Sequence, residues 1–152
     1  MTKWLPFILV IAWMGLIFSF SHQDAHQSSQ MSSTLNAQLI VLIETVLPVL
    51  ASNIDETQLE STVRSVAHVG LYLVLGLYMT AALNPYIKPV LKLAGYSITF
   101  GIVYAITDEV HQYFIPGRAM TWGDIALDSL GVILGTGIMI LMLRKAIIET
   151  NI

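Results

Sequence analysis

Four apolar runs, Trp4–Phe20, Ser65–Leu83, Leu91–Tyr113 and Asp124–Leu143, occupy more than half of a chain of only 152 residues. Each is close to the ~20 residues that a helix needs to cross the hydrocarbon core of a bilayer, where the backbone must satisfy its own hydrogen bonds. The runs predict an all-α, polytopic membrane protein with four transmembrane helices in a single domain, residues 1–152. Hydrophobic residues make up 55% of the chain and charged residues 11%, and the mean hydropathy is +0.72, far from a soluble domain. Membrane lipids are therefore its first expected partners. No basic cluster points to nucleic acid. Cysteine is absent, which excludes disulfides, thiolate catalysis and Cys-ligated metal. The first run carries one Lys before it and no small-residue cleavage pattern after it, so we read it as a retained helix.

The polar stretch from Ser21 to Asn36 gives way to Leu35–Ala51, which is apolar but interrupted by Gln38, Glu44 and Pro48. Whether this piece is inserted decides the orientation of everything after it. With four spans and a cytoplasmic start, Lys3, Lys88, Lys92, Arg144 and Lys145 lie inside and only Arg64 and Arg118 lie outside, in the direction that membranes favour. A fifth span reverses the balance. The sequence thus predicts an outer loop over 21–64 holding an interfacial helical segment, with Asp55 or Ser52 capping the next helix and both termini cytoplasmic.

On this topology every histidine and all the acids except Glu149 fall at or beyond the outer ends of the spans. Helical spacing aligns them into stripes. The third span carries Ser97, Gly101, Tyr104, Asp108, His111 and Gln112 on one face; the fourth carries Asp124, Asp128, Gly131 and Gly135. The second carries Arg64, His68 and Tyr72, and the first Gly15, Ser19, His22 and Gln23. Glu109 lies about a quarter-turn from Asp108, towards water. Four such stripes suit a polar pocket just below the outer surface.

Each feature also has a plainer reading. Gly131 and Gly135 are a small-residue packing seam, Asp108 and His111 can pair with each other, and Arg64 and Arg118 can anchor the interface. His22 and His26 fit a solvated loop. If the groups act chemically, His68, Asp108, Glu109, His111 and Asp124 are the candidates for proton exchange. Arg118, with Gln112, Asp128, Tyr72 and Tyr104, would bind an anionic group. No HExxH spacing, nucleophile elbow or phosphate-cradling loop is present, and no cofactor or metal is assigned.

The run Thr107-Asp108-Glu109-Val110-His111-Gln112-Tyr113-Phe114-Ile115-Pro116-Gly117-Arg118, followed by Asp124, Gly131 and Gly135, resembles the VanZ-like family. Phe18-Ser19-Phe20-Ser21-His22-Gln23 and Ala67-His68-Val69-Gly70-Leu71-Tyr72 agree with it. The resemblance implies a small multi-pass membrane protein from a family with a member linked to low-level teicoplanin resistance. It places family-typical polar positions at His68, Glu109, Gln112, Arg118 and Asp124. Two departures stand out: Asp128 where members often have Asn, and Arg64 a full turn before His68, where members commonly have a nearer basic residue. The resulting expectation is a protein of the cell membrane that binds or modifies a lipid-linked or lipophilic molecule at the outer leaflet. The rival is a non-catalytic, envelope-organising protein whose polar ends satisfy one another.

Because the chain has no cysteine of its own, single cysteines report topology cleanly. A cysteine at Asn84 should react with an impermeant maleimide only after the cytoplasmic face is opened, and one at Met120 should react in intact cells. The reverse pattern would eliminate the four-span arrangement.

Overall fold

The computed structural model describes residues 4–46 and 55–150. Among them it is all helical, with five helices: α1 (Leu5–Ser21), α2 (Ala25–Val46), α3 (Glu56–Leu83), α4 (Val90–Tyr113) and α5 (Trp122–Thr150). Local chemistry sets their starts. Pro6 opens α1, where its missing N–H removes a donor that would have no helical partner. Asp24 caps α2 by accepting from the Gln27 amide at 2.8 Å, and Asp55 caps α3 by accepting from the Thr57 and Gln58 amides. Thr121 starts α5 by accepting from the Asp124 amide at 3.0 Å.

Three helical segments, Thr57–Leu83, Val90–Tyr113 and Trp122–Ala146, are each long and apolar enough to cross a membrane. A fourth span arises if α1 and α2, which meet at a bend of 103°, are taken together. The chain is thus a multi-pass helical bundle of three or four spans. Three boundaries differ from the sequence reading, one of them the end of α5 at Thr150, seven residues beyond the expected Leu143. The second helix begins at Ala25, ten residues before the expected interfacial piece, because Asp24 supplies a cap ahead of a polar run that contains no Gly or Pro to break it. The part of that piece from 47 to 51, with Pro48, lies outside the described residues, as does Ser52. Likewise α3 starts nine residues before the expected span. Its 28 residues extend over roughly 42 Å, against ~30 Å of hydrocarbon, so its polar first turns need not lie in lipid.

The outer faces of the helices are apolar, and the interior mixes an apolar core of Ile17, Leu75, Ala105 and Val132 with buried polar groups. Ile8, Ile11, Leu91, Phe100, Ile133 and Leu141 are exposed, while Thr80, Ser97, Thr136, Asp128 and Glu109 are buried. This pattern belongs to a bundle solvated by lipid.

The closest pair is α3 with α5. At Gly76, Gly131 and Gly135 the backbone of the neighbouring helix occupies the space that a Cβ would take: the Val132 carbonyl faces Gly76, and the Val69 and Leu73 carbonyls face Gly131 and Gly135. Gly101 on α4 receives the Val132 side chain in the same way. Thr80 donates to the Gly76 carbonyl at 2.8 Å and reaches Thr136 across the seam at 3.3 Å. The α1 helix is tied in by Trp13, whose indole N–H donates to the Leu71 carbonyl at 2.8 Å, and by Tyr104, whose hydroxyl donates to the Met14 carbonyl at 2.7 Å.

Gly135→Ala should destabilise the bundle by about 1–3 kcal/mol, since its methyl group meets rigid helix backbone and not a movable side chain. Gly137→Ala, where nothing lies within 4 Å of the added carbon, should be neutral or slightly stabilising. Thermal unfolding of both variants in detergent, followed by circular dichroism, would compare them; equal midpoints would contradict the seam.

Candidate functional site

The helix directions bring the end of α1, the first half of α3, the end of α4 and the start of α5 to one end of the bundle. Their polar side chains meet there in two networks, on adjacent faces of α4.

The first network joins α1 to α4 and to the loop after it. Asp108 is buried, and its Oδ2 accepts from the Ser21 hydroxyl at 2.7 Å and from the Gln112 amide at 3.1 Å. The Gln112 carbonyl oxygen in turn accepts from the Arg118 guanidinium. Arg118 is held by a docked loop. The Ala25 amide donates to the Pro116 carbonyl at 3.3 Å, and Gly117, at φ 75°, sits where a Cβ would press on Ala25. This is the left-handed region that glycine alone enters readily. Partial burial, reinforced by the like charge of Arg64, lowers the pKa of Arg118, although acids around it work the other way. A guanidinium remains cationic under such a shift.

The second network lies between α3, α4 and α5. His68 Nδ1 pairs with Asp128 Oδ1 at 2.9 Å, and Asp128 is fully buried. Glu109 is also fully buried, and its Oε2 accepts from the Thr121 amide at 3.0 Å. One ligand-capable atom each from His68, Glu109 and Asp128 lies within 4.8 Å of the others. Glu109 Oε1 and Asp128 Oδ2 have no hydrogen-bond partner, and neither do Asp108 Oδ1 and the Tyr72 hydroxyl.

A cavity of about 480 Å³ opens beside the first network, between α1, α2 and α3. Trp13, Ile17, Met31, Leu35, Leu71 and Val74 make most of its wall apolar. Arg64, His68, Tyr72, Asp108, Gln112 and Arg118 supply the polar groups.

The structure thus gathers nearly all the residues singled out in the sequence, with four differences in detail. Glu109 faces α5 and is buried, not turned to water: the 100° step from Asp108 points it at the neighbouring helix. Asp108 and His111 do not pair. Asp108 is taken by Ser21 and Gln112, while His111 lies 3.3 Å from His22 and stacks on Phe18 at the exposed rim. The α1 stripe of Gly15, Ser19 and His22 faces outward, and α1 enters the site through Ser21. Asp124 is only partly buried, and no hydrogen bond holds its carboxylate. Tyr104 contacts the ring of Tyr72, with centroids 6.2 Å apart, and its hydroxyl is spent on α1. Sequence reasoning missed Ser21 and Thr121 as site residues. Thr121 was findable, since Thr-x-x-Asp before an apolar run is a capping pattern.

A family model described as VanZ/LLP1 matches residues 6–143. No curated protein and no solved structure matches the chain.

Ser21→Ala removes a donor from a buried carboxylate and should cost about 1–3 kcal/mol. Ser19→Ala, whose hydroxyl only bonds back to Gly15 in its own helix, should change stability by less than about 0.5 kcal/mol. Parallel denaturation of the two variants in micelles tests which face of α1 meets the bundle, and the opposite ranking would refute the arrangement.

Proposed function

The chain belongs to the VanZ/LLP1 family, and from that premise we propose that it is a cell-membrane protein whose cavity receives a lipid-linked or lipophilic envelope molecule. The supporting observation is the division of the cavity wall: an apolar majority from α1, α2 and α3, with Arg64 and Arg118 among the polar groups at the site end. That division matches an amphiphile with an anionic head and a hydrocarbon body. Arg118 carries the head-binding role, because its charge is permanent and the docked loop fixes its position. Gln112 orients Arg118, and Asp108 orients Gln112 in turn. Tyr72 and His68 offer further hydrogen bonds to the head. Asp108, Glu109, His111 and Asp124 remain the candidates for moving a proton if the bound molecule is modified as well as held.

In this reading the chain crosses the membrane four times with both termini in the cytoplasm, and the cavity faces the outer leaflet. The distribution of Lys and Arg supports that orientation. A pocket for lipid-linked wall components at the outer leaflet is also where a contribution to teicoplanin resistance would act.

A second reading is favoured by one specific feature. Ser21, Asp108, Gln112 and Arg118 form a continuous chain of hydrogen bonds, which is what a purely structural cluster in an envelope-organising protein would also need. Arg118→Gln separates the two. With the chain in nanodiscs, the amphiphile reading expects Arg118→Gln to weaken retention of anionic lipids by about tenfold, as measured by native mass spectrometry, while the unfolding temperature moves little; tenfold corresponds to about 1.4 kcal/mol. Loss of stability with unchanged lipid retention would favour the structural reading instead.

A further inference from the structure

We propose that His68, Glu109 and Asp128 bind a divalent first-row transition metal ion of the Zn2+ or Mn2+ type. Three helices each contribute one ligand: α3 the imidazole, α4 and α5 a carboxylate. Their ligand atoms already lie within 4.8 Å of one another. The separation of 2.9 Å between His68 Nδ1 and Asp128 Oδ1 is close to the ~3.0 Å edge between adjacent ligands of an octahedral ion at about 2.1 Å, the geometry that Mn2+ favours; tetrahedral Zn2+, with an edge of ~3.4 Å, needs the two ligands to part slightly.

The carboxylates point to a ligand independently of this convergence. Both are fully buried, and each keeps one oxygen, Glu109 Oε1 and Asp128 Oδ2, without any hydrogen bond. Such orphaned acceptors carry a desolvation penalty unless something meets them. Among the described residues no guanidinium does: Arg118 is engaged by Gln112, and neither Arg64 nor Arg118 forms an ion pair with Glu109 or Asp128. A divalent cation between two carboxylates and a neutral imidazole brings the buried set to zero net charge, which a low-dielectric interior favours. One imidazole nitrogen and two carboxylate oxygens, with no sulfur, suit Zn2+ or Mn2+ and exclude the soft cuprous ion.

The surroundings hold the ligands in place. The Thr121 amide fixes the second oxygen of Glu109, so the free oxygen is the one left to coordinate, an outer-shell arrangement common at metal sites. Of the three ligands, only His68 also lines the cavity, which gives an ion its route in and leaves open coordination positions on that side. The inference does not depend on what the cavity holds.

The test uses the full-length protein, purified in detergent without a histidine tag, stripped with EDTA and titrated with Mn2+ or Zn2+. One equivalent of metal per chain is expected by calorimetry and elemental analysis. Glu109→Gln and Asp128→Asn, which keep shape and remove charge, should each weaken uptake at least about tenfold. His22→Gln, which breaks the exposed histidine pair at the rim, should leave it unchanged. Electron spin-echo measurements on the Mn2+-loaded wild type should show coupling to one imidazole nitrogen, a signature that does not require any variant to fold. Uptake well below one equivalent would overturn the proposal, since the two carboxylates would then be sharing a proton. Uptake that is lost in His22→Gln, that survives in both carboxylate variants, or that lacks nitrogen coupling would overturn it equally.

Discussion

The buried cluster at the polar end depends on how closely α3 and α5 approach. Lipid supplies no hydrophobic force between two apolar helices, so their association rests on packing and on polar contacts. Gly76, Gly131 and Gly135 let the two backbones touch, and the Thr80–Thr136 contact crosses the same seam. One turn further along, the same stripe of α5 carries Asp128 and the same side of α3 carries His68. Their 2.9 Å contact is available only because the glycines remove the spacing that side chains would impose. A wider seam would leave a buried carboxylate facing hydrocarbon, a state costing far more than the packing itself.

A second constraint sets the cavity. The bend of 103° between α1 and α2 turns α2 across the bundle, and the Asp24 cap makes that turn abrupt. The Pro116-Gly117 loop then docks on the start of α2 through the Ala25 amide. This contact delivers Arg118 both to Gln112 and to the cavity wall. The loop motif and the bend are therefore parts of one arrangement, although ninety residues separate them in the chain.

The sequence revealed the class, the family resemblance, α1 and α4 almost to the residue, and which end of the bundle would hold the polar groups. Apolar runs and charge asymmetry carry that information directly. Periodicity was less informative wherever a helix has polar groups on more than one face. Ser19 and Ser21 are two residues apart on α1, and only tertiary contact with Asp108 decides which is inside. Glu109 was assigned to water because it lies about a quarter-turn from Asp108; its actual partner, the Thr121 amide, lies twelve residues away and leaves no trace in helical spacing. The early start of α2 followed from Asp24, but a run of Ser and Gln has no helix period to announce it.

Adjacent placement of Asp108 and Glu109 on α4 links the two networks. A step of about 100° sends one carboxylate to the cavity and the other to the buried cluster on α5. Asp108 is held by α1 and Gln112, Glu109 by the cap of α5, and the helix between them is clamped on two adjacent faces. A molecule that displaced Gln112 from Asp108 would load the same turn of α4 that presents Glu109 to His68 and Asp128. The two networks thus share one turn of α4, and among the described residues no hydrogen bond joins them. Isosteric substitutions such as Glu109→Gln are for that reason better probes than truncations, which would release the clamp along with the charge.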